Sequence, residues 1–353
     1  MKKKIIALYV IFFVGISSLL LFSQKRSLLF FLACNIIILL LGCCSVFLSM
    51  LLKKTDWYKN IFIYTTQFVS NEGYRSDLQR NYDIVNLGSN PARFAFFYES
   101  VLGQNWSTGA QGLSEDLEIL KYYFSYIKKG GTVLIPIVPF SSIFPYVKYY
   151  KMAYTPVAYY SKFIKILDGY QARRLPLFRK ACYFIRYPLF VQPKAFRYLI
   201  RDTEKDSRLY LSEQFMQPLE LHNDANKWIN GWMKEFDIDN LTLPLNDRLK
   251  EPFNESIKDL RNLISFCVER DLRSVIIIPP VTKYLSSYFT TEIKEQYIYS
   301  FVRQANIQNA VFLDYFDDER FQDPQYYFNS FFLNLRGRKL FTRQVLQDLG
   351  III

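Results

Sequence analysis

Histidine is almost missing from this 353-residue chain, with His222 the single copy. That excludes metal sites built from several imidazoles and leaves any Ser-His or Cys-His chemistry one candidate base. Glycine and proline are scarce, at 13 and 14 residues, so no collagen-like or low-complexity class applies. The five cysteines form no CxxC pair and no zinc spacing. Cys34, Cys43 and Cys44 lie in an apolar run, while Cys182 and Cys267 are isolated. Neither a disulfide scaffold nor a metal site follows, and no residue pattern implies a cofactor. Acidic residues are absent from 1–54, which holds Lys2, Lys3, Lys4, Lys25, Arg26, Lys53 and Lys54. Removing those seven from the 44 basic residues leaves 37 against all 32 acidic ones, so the net charge of +12 falls to +5 beyond residue 54. Most of the excess therefore flanks apolar segments, which favours a membrane surface over nucleic acid.

What is present is apolar and aromatic. Half the chain is hydrophobic and 18% is aromatic, more than enough surface to build a core. Ile5–Phe22 and Ser27–Leu52 are apolar runs of bilayer-spanning length, separated only by SQKR. No small-x-small site follows Phe22, which argues against a cleaved signal peptide. The expectation is a transmembrane hairpin over 1–54, with a single-span anchor as the alternative. Five Lys flank the hairpin and one Lys and one Arg sit in its loop, so the positive-inside rule places the following domain in the cytoplasm.

Residues 55–81 read as a linker to a domain over 82–353. Tyr82–Gly88, Thr132–Val138, Ser274–Ile278 and Ala310–Tyr315 read as buried strands. Leu113–Ile127, Asn254–Glu269, Thr291–Ala305 and Leu335–Leu349 read as helices, with Leu243–Glu251 a loop. Alternating strands and helices predict an α/β fold, a parallel sheet with helices on both faces. Residues 145–201 interrupt it with a basic, aromatic insert. From Lys148 to Arg201 twelve basic residues face one acid, Asp168, with rings such as Tyr149, Tyr159, Phe163 and Phe184 between them. Cations mixed with large rings suit a lipid interface.

In a parallel sheet, ligands gather at the carboxyl ends of the strands. The first strand ends in NLGSNPARF, which presents Ser89 at that edge. Its hydroxyl could meet a ligand, or it could cap the next helix. Arg93 could bind an anionic group there, or be an ordinary helix charge. In LGQNWSTGAQGLSEDLEIL, Asn105 and Gln111 could donate to an oxyanion or a sugar hydroxyl, or serve loop hydrogen bonding, with Ser114 a plausible helix cap.

The order NLGS, KKGGTVLIPI, SVIIIPPVTKYL, FLDYFDDERF and FNSFFLNLRGRKLFT resembles the SGNH (GDSL-type) esterase and acyltransferase superfamily. The nearest resemblance is to its DltD-like membrane-anchored branch, found with surface-polysaccharide modification. It spans about 82–350 apart from the insert and implies a three-layer, flavodoxin-like parallel sheet. It further implies a nucleophile at Ser89 and an Asp-x-x-His just before the last helix. Here Asn329 stands at the Asp position and Phe332 at the His position. Phe carries no nitrogen and Asn cannot hold an imidazolium by charge, so the serine lacks its base. Pro91 also removes an N–H donor near the oxyanion site. Substitute bases would be His222, beside Asp224, or a carboxylate such as Asp317, Asp318 or Asp323, with Asp314 ending the fourth strand. Two readings follow. One is a non-catalytic module that binds a glycan or lipid-linked glycan, or partners a membrane O-acyltransferase. The other is a divergent serine esterase or O-acyltransferase. The resemblance implies a bacterial membrane and a domain outside the cytoplasm, opposite to the charge count.

Overall fold

The computed structural model describes residues 28–55, 69–70, 73–74, 80–107, 109, 111–147, 187–191, 193–200 and 212–351. The apolar run Ile5–Phe22 and most of the basic insert lie outside the described residues. The second apolar run forms helix α1 (Leu28–Leu52). Its last 18 residues, Asn35–Leu52, have a mean hydropathy of 2.5, long and apolar enough to cross a membrane. Ile36 to Leu41 all show their side chains, as a helix bathed in lipid would. Near its C-terminus the hydroxyl of buried Ser49 accepts the Leu189 N–H, tying the helix to the short turn Pro188–Val191.

The domain that follows is α/β, and among the described residues its main sheet has five strands, all parallel. These are β1 (Tyr82–Asn86), β2 (Gly103–Asn105), β3 (Ile127–Pro136), β4 (Arg273–Ile278) and β5 (Val311–Asp314). In space they run β2-β1-β3-β4-β5. The sequence reading expected four strands and took 103–105 for loop. GQN has no apolar run to betray it, and its pairing rests on backbone register with Ile84–Asn86. The central strands are apolar on both sides because both sides are covered. Val133, Ile135, Ile276 and Ile278 enter one apolar cluster, while their alternates Leu134, Val275 and Ile277 enter another.

The first cluster takes helices α2 (Leu113–Tyr123), α3 (Pro218–Phe236) and α4 (Asp247–Val268), and the second takes α5 (Leu335–Asp348). The sequence reading did not mark α3, although Leu221, Ala225, Ile229, Trp232 and Phe236 recur at helical spacing and are all buried. It also placed a loop over 243–251 where α4 already begins. Asn246 caps that helix by accepting the Leu249 N–H at 3.2 Å, and Pro252 sits inside it. Ser114 is no cap, because Gly112 holds that position and Glu115 reaches back to its N–H at 3.0 Å.

Two close approaches set the geometry of the sheet's carboxyl edge. Gly88 has φ +102°, and a Cβ there would stand 2.9 Å from the Ala92 Cβ, so only glycine makes this turn. Gly337, in the first turn of α5, lies against the Tyr326 backbone with no room for a side chain. Three residues farther back, Asn334 caps α5: its oxygen accepts the Gly337 N–H at 3.0 Å and its amide donates to the Gln325 carbonyl at 2.7 Å.

Candidate functional site

The strand order reverses between β1 and β3, and a crevice opens at their carboxyl ends, as doubly wound sheets require. It is a cavity of about 290 Å³. Its floor is the turn after β1 (Gly88, Ser89, Asn90, Pro91) with Pro136 at the end of β3 and Val138 just beyond it. One side is the start of α2 with Gln111, Ser114 and Asp116. The far wall is aromatic: Phe140, Trp228, Trp232, Phe236, Phe331 and Phe332. Glu235 of α3 and Asp259 of α4 also line it.

Ser89 occupies the N-cap position of the short turn Asn90–Arg93 but makes no side-chain capping bond. Its hydroxyl has no hydrogen bond to a described residue, and it is half-buried on the cavity floor. Pro91 follows within the first turn and supplies no N–H.

The segment before α5 comes to the same cavity from the other end of the chain. Asn329 does not act as an acid. Its Oδ1 accepts the N–H groups of Phe331 and Phe332 at 2.9 and 2.7 Å and closes a local turn. Ser330 clamps that turn, donating from both its N–H and its hydroxyl to Asp224 of α3 at 2.9 and 2.6 Å. Asp224 therefore serves the turn, and not His222. The clamp turns Phe331 and Phe332 toward the cavity. Phe332 stacks on Phe94 at 5.3 Å and on Phe331 at 5.0 Å, and meets Trp228 at 5.6 Å. Trp232 meets Phe331 and Phe140 at 5.1 and 5.3 Å. Phe140 holds a left-handed backbone (φ +65°) while almost wholly buried, a strained conformation for an aromatic residue at a cavity wall.

The other sequence candidates divide. Gln111 lines the cavity, and its amide donates to the Trp106 carbonyl at 3.3 Å and to Asp116. Asn105 does not line it. Its amide donates to the carbonyls of Arg93 and Phe96 at 3.2 Å, and its oxygen accepts from Asn86 and Ser107, which fastens β2 to the turn after β1. Arg93 is buried with its guanidinium over the Phe94 ring and is not a lining residue. His222 stands exposed on α3, away from the cavity lining. Among the carboxylates, Asp314 accepts from the Tyr299 hydroxyl, Asp317 pairs with Lys294 at 2.6 Å and Asp318 with Arg320. Asp323 caps a short helical turn. None of these lines the cavity.

The sequence reading missed Asp116, an acid that does line it. It is 1% exposed, and it accepts the Gly88 N–H at 2.9 Å and the Gln111 amide on the same oxygen, Oδ1. Burial pushes its pKa up to about 7, against the pull of the Gln111 and Gly88 hydrogen bonds. The available signal was its place three residues after Leu113, on the inward face of α2. Trp228 and Trp232 were also missed; their i, i+4 spacing marks one helix face. Among the described residues no cluster of His, Cys, Asp and Glu could hold a metal ion.

The chain matches no protein-family model and no curated protein.

Proposed function

We propose that this protein is a membrane-anchored, SGNH-like module of cell-envelope polysaccharide modification that holds a glycan without reacting on it. One observation carries the reading: Ser89 and Phe332, the positions that resemble the family's nucleophile and base, line one cavity although 243 residues separate them in the chain. The strand order supports the three-layer, flavodoxin-like arrangement that the resemblance implies. A phenyl ring at the base position can take no proton, and the sole histidine is not in the cavity lining. Loss of a general base costs roughly 10²–10⁴ in rate, so the serine is left a poor nucleophile. In exchange the cavity gains a ring surface. Sugar rings lay their C–H faces on such walls while their hydroxyls meet polar groups, here Ser89, Asn90, Gln111 and Ser114. Helix α1 keeps the module where lipid-linked glycans and a partner membrane O-acyltransferase reside.

A second reading is a divergent serine esterase or O-acyltransferase. It is favoured by the Ser89 hydroxyl, which no described residue engages. A fluorophosphonate probe separates the two, since it bonds to serines with a working base and releases fluoride. On the full chain in detergent, the binding module gives no labelling, and Ser89→Ala looks the same. Labelling of the wild type that vanishes in Ser89→Ala would establish the esterase instead.

A further inference from the structure

Asp116, on the cavity's α2 side, is an ionisable group with an oxygen to spare. Both side-chain hydrogen bonds to Asp116, from Gly88 and Gln111, end on Oδ1 and fill its two lone pairs. Oδ2 has no protein partner among the described residues. It is also not one of the buried polar atoms shut away without a partner, so it opens on the cavity that Asp116 lines. A proton on this carboxyl therefore sits on Oδ2 and faces whatever occupies the cavity.

Burial supplies the reason for a proton to be there, holding the pKa near 7. No charged group is among the causes of this value. The elements packed about the cavity carry Glu115 and Glu118 on α2, the latter paired with Lys121 at 2.9 Å, and Arg93 in the turn after β1. They also carry Glu235 on α3 and Glu255 and Asp259 on α4, of which Glu235 and Asp259 line the cavity. The causes of the shift are desolvation and the two hydrogen bonds alone.

We propose that Asp116 is a ligand-contacting acid, whose Oδ2–H donates a hydrogen bond to an oxygen of a neutral, hydroxyl-rich ligand lying between Ser89 and the aromatic wall. The inference rests on the glycan reading and names the group that would make its binding depend on pH. As pH rises through 7 the donor is lost and the ionised oxygen can only accept.

The test uses the full chain in a detergent without a sugar headgroup. Methyl glycosides of glucose, galactose and N-acetylglucosamine are titrated, read by the fluorescence of Trp228 and Trp232. Infrared difference spectra between pH 6 and pH 8 are recorded on the same samples. In the wild type, Kd for a bound glycoside rises about tenfold from pH 6 to pH 8, the value of one hydrogen bond. Asp116→Asn places an amide N–H where Oδ2 was, so its Kd is flat across the same range. A protonated-carboxyl band is lost at pH 8 in the wild type and is missing from Asp116→Asn. Glycoside binding with no pH dependence, or the same band in Asp116→Asn, overturns the inference while leaving the glycan reading standing. No glycoside binding at any pH overturns the glycan reading and this contact with it.

Discussion

Replacing Asp116 with Asn should stabilise the protein, by an amount that grows from about pH 4 and is complete by about pH 7. The carboxyl is almost fully buried, and its pKa rises from an ordinary 3.8 to about 7. The sign follows from linkage. An acid whose folded pKa is raised ionises more readily in the unfolded chain, so stability falls as pH climbs from about 4 to about 7 and is level beyond. At 1.36 kcal/mol per pH unit the fall from this one group is about 4 kcal/mol. Asparagine removes the ionisation yet keeps Oδ1 as acceptor for Gly88 and Gln111. Near pH 4, where Asp116 is protonated in the folded protein and only about half ionised in the unfolded chain, the variant and the wild type should agree to within about 1 kcal/mol. At pH 8 the variant should be the more stable by about 4 kcal/mol. The assay is denaturant unfolding of both proteins in detergent, followed by tryptophan fluorescence at several pH values. Comparing the difference between the two proteins at each pH cancels every other titrating group. A difference that stays constant from pH 4 to pH 8, or an Asn variant that is less stable at pH 8, would refute the argument that burial holds the proton on Asp116.

Two further outcomes are expected. The double substitution Asn329→Asp with Phe332→His rebuilds the acid and base positions on a turn that Asp224 and Ser330 already clamp. It should introduce fluorophosphonate labelling that a third change, Ser89→Ala, removes; a folded double variant with no labelling would count against the family resemblance. Asn334→Ala deletes the α5 cap and the amide's hydrogen bond to the Gln325 carbonyl. It should cost about 2 kcal/mol in denaturant unfolding, and a loss below about 0.5 kcal/mol would show that the cap does not hold the segment before α5 in place.

The parts of the fold that the sequence revealed are those whose burial writes itself into composition. TVLIPIV and SVIII are unbroken apolar runs because β3 and β4 are covered on both faces. β2 escaped notice because three residues, GQN, hold their place through the side chain of Asn105 and through backbone pairing. The start of α4 was hidden by Pro252, which resembles a loop marker but is tolerated within the helix. Of the candidate site, motif order pointed to Ser89 and Phe332, which share one cavity, and the polar loop after β2 pointed to Gln111, which lines it too. The site was illegible where the third dimension decides. An acid in SEDLEIL looks like a surface charge until α2 turns it inward, and Trp228 reaches Phe332 only because Asp224 grips Ser330.

The sheet's connectivity also has a consequence in time. β3 ends at Pro136 and its partner β4 begins at Arg273, so residues 137–272 must be made between the two central strands. At about 5–20 residues per second, synthesis leaves β3 without that neighbour for roughly ten seconds. Throughout that interval α1 has already been made, while the edge of β3 that will meet β4 presents unpaired backbone beside Val133, Leu134 and Ile135. The nascent chain is therefore most exposed to mispairing before its sheet can close, and its yield should depend more on how fast residues 137–272 are made than on the stability of the finished fold.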